Sequence, residues 1–245
     1  MDRNHFYSIM NGEGTLDYEL YLNTTKLLSC QKDFHEFCNQ DELQFQIVHQ
    51  VEELWMKLIG YTLLDIDEYI QQENTNRVMT LFRRMHIAQR MLIDQLALLE
   101  TMSPKEYQEI RLRLGKGSGQ ESPGFRTLLK MHQPLWHSFK MHYLDKHGLT
   151  VEKIYNTAYS HSDAYVVAEA LAEFDELFQK FRYHHLQLIH RTIGLGAKSL
   201  KGRSVELLQE GLRTQFFPEL WEIRNRMTDE WGAQYGVVRD SIGGH

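Results

Sequence analysis

Residues 42–70 read ELQFQIVHQVEELWMKLIGYTLLDIDEYI. Apolar residues recur at Phe45, Val48, Val51, Trp55, Leu58, Ile59, Leu63 and Ile66, the spacing of an amphipathic helix. The stretch has no proline, and Gly60 is its only glycine. It predicts a helix of roughly 40 Å, long enough to cross a domain. Asp41 is the expected N-cap. His49 sits on the shoulder of the apolar face, one turn after Phe45. There it can be a solvated edge residue, a satisfied core histidine or a working group.

Two further segments share this period. Residues 77–101 place Val78, Leu81, Met85, Ala88, Leu92, Leu96 and Leu99 on one side, and His86 falls off that stripe. Residues 163–193 place Val167, Leu171, Phe174, Phe178, Phe181, His185, Leu188 and Thr192 on one side. His185 thus lies inside an aromatic stripe, whereas His184 and His190 do not. Shorter helices are expected after Ser103-Pro104-Lys105-Glu106, a capping box with proline at the first position, and over 150–162. Pro134 is expected to break 125–147 into two helices. Helices are also expected at 205–217 and from PELWEIRNRMTDEW onward, with a disordered tail DSIGGH. No segment alternates as a strand does. The prediction is one all-α domain over residues 1–245, with a mobile arm at 1–14.

Composition narrows the function classes. The chain has 245 residues, 42% of them hydrophobic, and a net charge of -6. That balance opposes a nucleic-acid partner, which calls for a basic excess. No apolar run reaches the roughly 20 residues of a membrane span. Two cysteines, Cys30 and Cys38, are too few for a disulfide framework, which suggests a cytoplasmic setting. The 13 histidines raise the prospect of a metal or haem site. No Glu stands three residues before a His, so the di-iron carboxylate pattern fails. His132, His137 and His142, five apart, spread around a helix and do not gather. The glycine-rich stretch 115–124 lacks a phosphate-loop pattern. Glu52, Glu53, Asp65 and Asp67 read as the solvated side of the long helix.

Two features suit chemistry. His49 and His185 lie on the apolar sides of separate long helices, as an axial imidazole in a helical pocket does, although a satisfied core histidine is the commoner outcome. Tyr107 and Arg111 are neighbours on one helical face, and a guanidinium with a nearby hydroxyl suits a carboxylate. A surface ion pair is the ordinary alternative for Arg111.

With these residues in view, the chain resembles the tryptophan 2,3-dioxygenase family of haem enzymes. The resemblance rests on DYELYL at 17–22, FQIVHQVEELWMKLI at 45–59, LETMSPKEYQEIRLRLG at 99–115, FRYHHLQLIHRTIG at 181–194 and TQFFPELW at 214–221. It implies an all-α fold, haem b, a homotetramer, and insertion of O2 into the indole ring of tryptophan or a close analogue. It further implies His185 as the iron's axial ligand and His49 as the distal histidine that meets the indole N–H. Phe45 would pack on the substrate ring, and Tyr107 with Arg111 would hold its carboxylate. Tyr18, Tyr21 and Leu22 match positions that a neighbouring subunit inserts towards the site. Such docking would explain the short aromatic segment 15–30.

One segment departs from the family. Where the family carries a Gly-Thr-Gly-Gly-Ser type closing loop, this chain has GLGAKSLKGRSV at 194–205. Ser199 falls near the threonine position, and Lys198, Lys201 and Arg203 add positive charge. Cations repel a substrate ammonium. The departure leaves two alternatives: a mono-oxygenase of a modified aromatic amino acid, or a haem-binding protein without turnover.

Overall fold

The computed structural model describes residues 2–10, 12–115, 117–196, 198 and 214–231. They form α1 (Arg3–Met10), α2 (Asp17–Leu22), α3 (Thr24–Leu28), α4 (Glu42–Gln71), α5 (Thr75–Asp94), α6 (Leu96–Leu99), α7 (Pro104–Arg113), α8 (Pro123–Phe139), α9 (Val151–Tyr155), α10 (Asp163–Ile193) and α11 (Pro218–Trp231). No β-strand occurs among the described residues. The fold is therefore all-α, as the periodicity predicts. The region 1–14, expected to be an arm, is helical over Arg3–Met10, and Tyr7 stacks on Phe34 at 4.0 Å. The tail and most of the helix expected at 205–217 lie outside the described residues.

Helix ends follow local chemistry. Asn74 accepts from the Arg77 N–H and starts α5. Ser103 and Glu106 form the expected capping box of α7. Asp41 makes no side-chain cap. Glu42, the first helical residue, instead ties down the preceding turn: its buried carboxylate accepts from the Cys38 N–H at 2.7 Å and pairs with Lys32. Pro134 does not break α8, which runs from Pro123 to Phe139. The proline is exposed, so water can satisfy the carbonyl that its missing N–H leaves free. The irregularity follows nearly two turns later, as a π turn over Lys140–Leu144.

The two long helices sit on opposite sides of a shared scaffold. α4 packs on α5 and α8, and α10 packs on α5 and α7. α4 and α10 make no extended contact with each other. Val48, Ile59, Leu63 and Ile66 fill the core from α4, whereas Val51 is only half-buried and Leu58 is exposed. The stripe of α10 is buried at Val167, Leu171, Phe174, Phe178, Phe181, Leu188 and Thr192. Polar contacts fix the α5–α10 seam. Gln89 donates to the Phe174 carbonyl at 2.9 Å, and His86 bonds the Ala170 carbonyl at 3.1 Å. His86 therefore belongs to a packed face and not off it; its role is structural, with Glu173 3.2 Å from its other nitrogen.

Asp175 anchors α11. Its carboxylate is fully buried and accepts from the Phe216 and Phe217 N–H groups at 2.8 and 3.2 Å and from the Trp221 indole at 2.8 Å. Asp175→Ala would strand three donors in an apolar interior, each costing about 1–3 kcal/mol. We expect the variant to lose at least about 3 kcal/mol of stability in urea unfolding. A midpoint equal to wild type would contradict that role.

Candidate functional site

α4 and α10 make no extended contact with each other, and the interval between them, bridged by α7 and α8, is termed the cleft. The start of α8 bridges the walls: Phe125 stacks on Phe178 of α10 at 5.4 Å. On the other side, a Cβ added at Gly124 would lie 2.6 Å from the Met56 Cβ and 2.9 Å from a Glu53 carboxylate oxygen. Only glycine permits that approach. Glu53 then accepts from the Gly124 N–H at 2.9 Å and from the Ser122 hydroxyl, fixing the α8 N-terminus on α4.

His49 and His185 both face this cleft. The His49 Nδ1 lies 2.7 Å from the Phe45 carbonyl oxygen. A carbonyl only accepts, so Nδ1 carries the hydrogen and Nε2 presents a lone pair. Burial holds His49 below the ordinary imidazole range, against the opposing pull of the Phe45 carbonyl and Glu53. Burial, and then the proximity of His49, push His185 down to about 4. Both imidazoles are neutral at pH 7. His185 has no hydrogen-bond partner among the described residues, and its closest ring neighbour is Phe181 at 6.3 Å. The adjacent His184 is exposed. Of the two neighbouring histidines, only His185 turns inward.

The glycine-rich stretch 115–124 has a place here that its sequence does not disclose. Gly119 borders the His185 imidazole: a Cβ there would be 3.8 Å from Cε1 and 3.9 Å from Nε2. Gly119 therefore brings its backbone, and no side chain of its own, towards that edge of the ring. A neutral imidazole beside Phe181, with no hydrogen-bond partner among the described residues, is the kind of donor that haem iron takes. The opposed His49 presents a free Nε2. These residues fit a haem. Among the described residues no group of three His, Cys, Asp or Glu side chains could hold a bare metal ion.

The remaining candidates divide into two sets. Phe45 lies against His49 at 4.1 Å and within 6.3 Å of Tyr107, so these three line one end of the cleft. Burial raises the Tyr107 phenol above its usual range, and Arg111 partly offsets this. Arg111 donates from Nη2 to the Lys198 carbonyl at 2.6 Å and from Nη1 to Gln108 at 3.4 Å. Tyr107 and Arg111 thus lie together at the rim, with the Lys198 carbonyl, after α10, resting on Arg111. Tyr18, Tyr21 and Leu22 are outside this set: they are exposed on α2, Tyr21 by 89%. Ser199 lies outside the described residues.

Glu52 departs from expectation. It is 9% exposed, and its Oε1 is buried with no hydrogen-bond partner. Burial, and then the Glu53 charge, raise its pKa to about 7. The carboxyl pair at 52–53 is therefore not a solvated face. Glu53 is tied to α8, and Glu52 points inward one turn after His49. A raised carboxyl pKa favours the fold below the ordinary value of 4.5, and that advantage is lost as pH rises through about 7. Glu52→Gln removes this titration. Its stability relative to wild type should therefore climb between pH 5 and 8, by up to about 3 kcal/mol. Paired urea midpoints at the two pH values check it, and a constant difference would contradict it.

The cleft defines a class: a helical bundle that presents two neutral imidazoles from separate walls, with the Arg111 guanidinium at the rim. Comparison with known proteins specifies the class further. A model of the tryptophan 2,3-dioxygenase family matches residues 7–134. A tryptophan 2,3-dioxygenase of Myxococcus xanthus is 31% identical, over 88% of this chain and 91% of its own length. Those of Serratia proteamaculans and Saccharopolyspora erythraea are each 28% identical, over 86% of this chain and 93% of theirs. The chain belongs to the tryptophan 2,3-dioxygenase family.

Proposed function

We propose that this protein is a haem b-dependent dioxygenase that opens the indole ring of L-tryptophan or a close analogue, giving an N-formylkynurenine-type product. The observation that carries the proposal is the pair of neutral, inward-facing imidazoles on α4 and α10, His49 and His185. His185 would hold the iron through its imidazole. Haem, when bound, supplies the binding and activation of O2. His49 accepts the indole N–H at its Nε2, since Nδ1–H is committed to the Phe45 carbonyl. The Phe45 ring packs on the indole. Arg111 exchanges the Lys198 carbonyl for the substrate carboxylate, and the protonated Tyr107 hydroxyl donates beside it. Together they fix the ring in an apolar cleft, which lowers the entropic cost of reaction. Ser199, near the position of the family's loop threonine, is the residue assigned to the substrate's ammonium group.

The site is completed by a second copy within a homotetramer. Tyr18 and Tyr21 of α2 are large, apolar and 71% and 89% exposed. A helix of 6 residues is too short to persist alone, so it needs a partner surface. Ile47, Leu54, Leu58, Tyr61 and Leu64 of α4 are also exposed, an apolar outer face of the kind that subunits bury. The proposed setting is the cytoplasm, consistent with free Cys30 and Cys38. Among the described residues no helix is long and apolar enough to cross a membrane. Oxygen uptake by the haem-loaded, reduced protein tests the function. One O2 should be consumed per L-tryptophan, and no uptake above the substrate-free rate would overturn the proposal.

A further inference from the structure

The function proposed above leaves Glu52 unused. One of its carboxyl oxygens, Oε1, is buried without a partner; such an atom costs free energy and calls for an explanation. Helix geometry shows where this one points. At about 100° per residue, Glu52 lies between the flank of α4 carrying Val48 and the flank carrying His49 and Met56. The Glu53–Met56 flank abuts the start of α8 at Gly124. The next α8 residue, Phe125, reaches Phe178 of α10. Glu52 therefore enters the interior that α5, α8 and α10 enclose. It stands roughly 4.5 Å beyond His49 along the helix axis and roughly 10 Å beyond Phe45. Phe45 faces Tyr107 at the rim, where the amino-acid end of a substrate is held. Glu52 is thus at the opposite end, where the benzo edge of an indole would lie.

We propose that Glu52 is a specificity-determining residue that donates its carboxyl hydrogen to an oxygen carried on the benzo ring of the bound aromatic amino acid. This rests on the function proposed above. Unsubstituted indole offers Glu52 only C–H edges, so the buried acid stays unpaired in that complex. A ring hydroxyl satisfies it. The adjacent Glu53 cannot serve, because the Gly124 N–H and the Ser122 hydroxyl already occupy its carboxylate. The preferred substrate class is therefore a tryptophan hydroxylated on its benzo ring.

The test uses the full chain loaded with haem, and reads ligand affinity from the shift of the haem absorption band. L-tryptophan and its benzo-ring hydroxy derivatives are titrated into wild type, Glu52→Gln, Glu52→Leu and Glu52→Met. Wild type should bind at least one hydroxytryptophan at least about tenfold more tightly than tryptophan. Leucine or methionine should erase that preference and leave tryptophan affinity within about threefold. Glutamine, whose amide also donates, should retain part of it. Methionine keeps the comparison open if leucine fails to fold. An equal ratio of affinities in all four proteins overturns the proposal. So does a loss of haem affinity with the ratio unchanged, which would assign Glu52 to the cofactor edge. If neither ligand binds wild type, the function proposed above falls, and the role of Glu52 with it.

Discussion

Replacing His185 by alanine should abolish stable haem binding, whereas the same change at His184 should leave it intact. The two histidines are adjacent, yet α10 turns them to different surroundings. His184 is solvated, while His185 is pushed down to about 4 by burial and stays neutral across the working range. A neutral imidazole is what iron binds, and no hydrogen bond in the described structure competes for its nitrogens. Residues behind a metal ligand are worth about 10–100-fold in affinity. Loss of the ligand itself should exceed about 100-fold. Titration of the purified variants with haem, followed by the Soret absorption, reads this directly. A Soret band retained in His185→Ala and lost in His184→Ala would move the ligand by one residue.

Substrate affinity gives the second large effect. Arg111→Ala should weaken L-tryptophan binding by about 2–5 kcal/mol, the usual cost of truncating one partner of a desolvated charge pair. The carboxylate is the group at stake, so the variant should no longer distinguish tryptophan from tryptamine, which lacks it. Lysine at this position should rescue poorly, because a point charge does not reproduce the two-pronged geometry of a guanidinium. Unchanged discrimination in Arg111→Ala would exclude the clamp.

Much of this was legible in the sequence, for physical reasons that can be named. α4, α5 and α10 follow from a 3.6-residue period, and the start of α7 from the capping residues Ser103 and Glu106. The inward turn of His185 follows from its place between Phe181 and Leu188. What escaped depends on contacts between distant segments. Two adjacent carboxylates suggest a solvated face. Nothing local indicates that Glu53 will cap a helix start 71 positions away, or that Glu52 is then carried into the interior. Val51 and Leu58 illustrate the same limit. Both satisfy the apolar period, yet the α5 and α8 contacts select Val48, Met56 and Ile59 for burial. Gly119 escaped because a glycine-rich loop has no period, and its meeting with His185 is purely tertiary. Pro134 misled because a proline on an exposed helix face can be accommodated with water as the substitute partner.

The most direct measurement is the mass of the product formed from L-tryptophan under isotopically labelled O2. Incorporation of two labelled oxygens into a ring-opened product is the predicted result. A product carrying one labelled oxygen would contradict dioxygenation and assign the same pocket to mono-oxygenation.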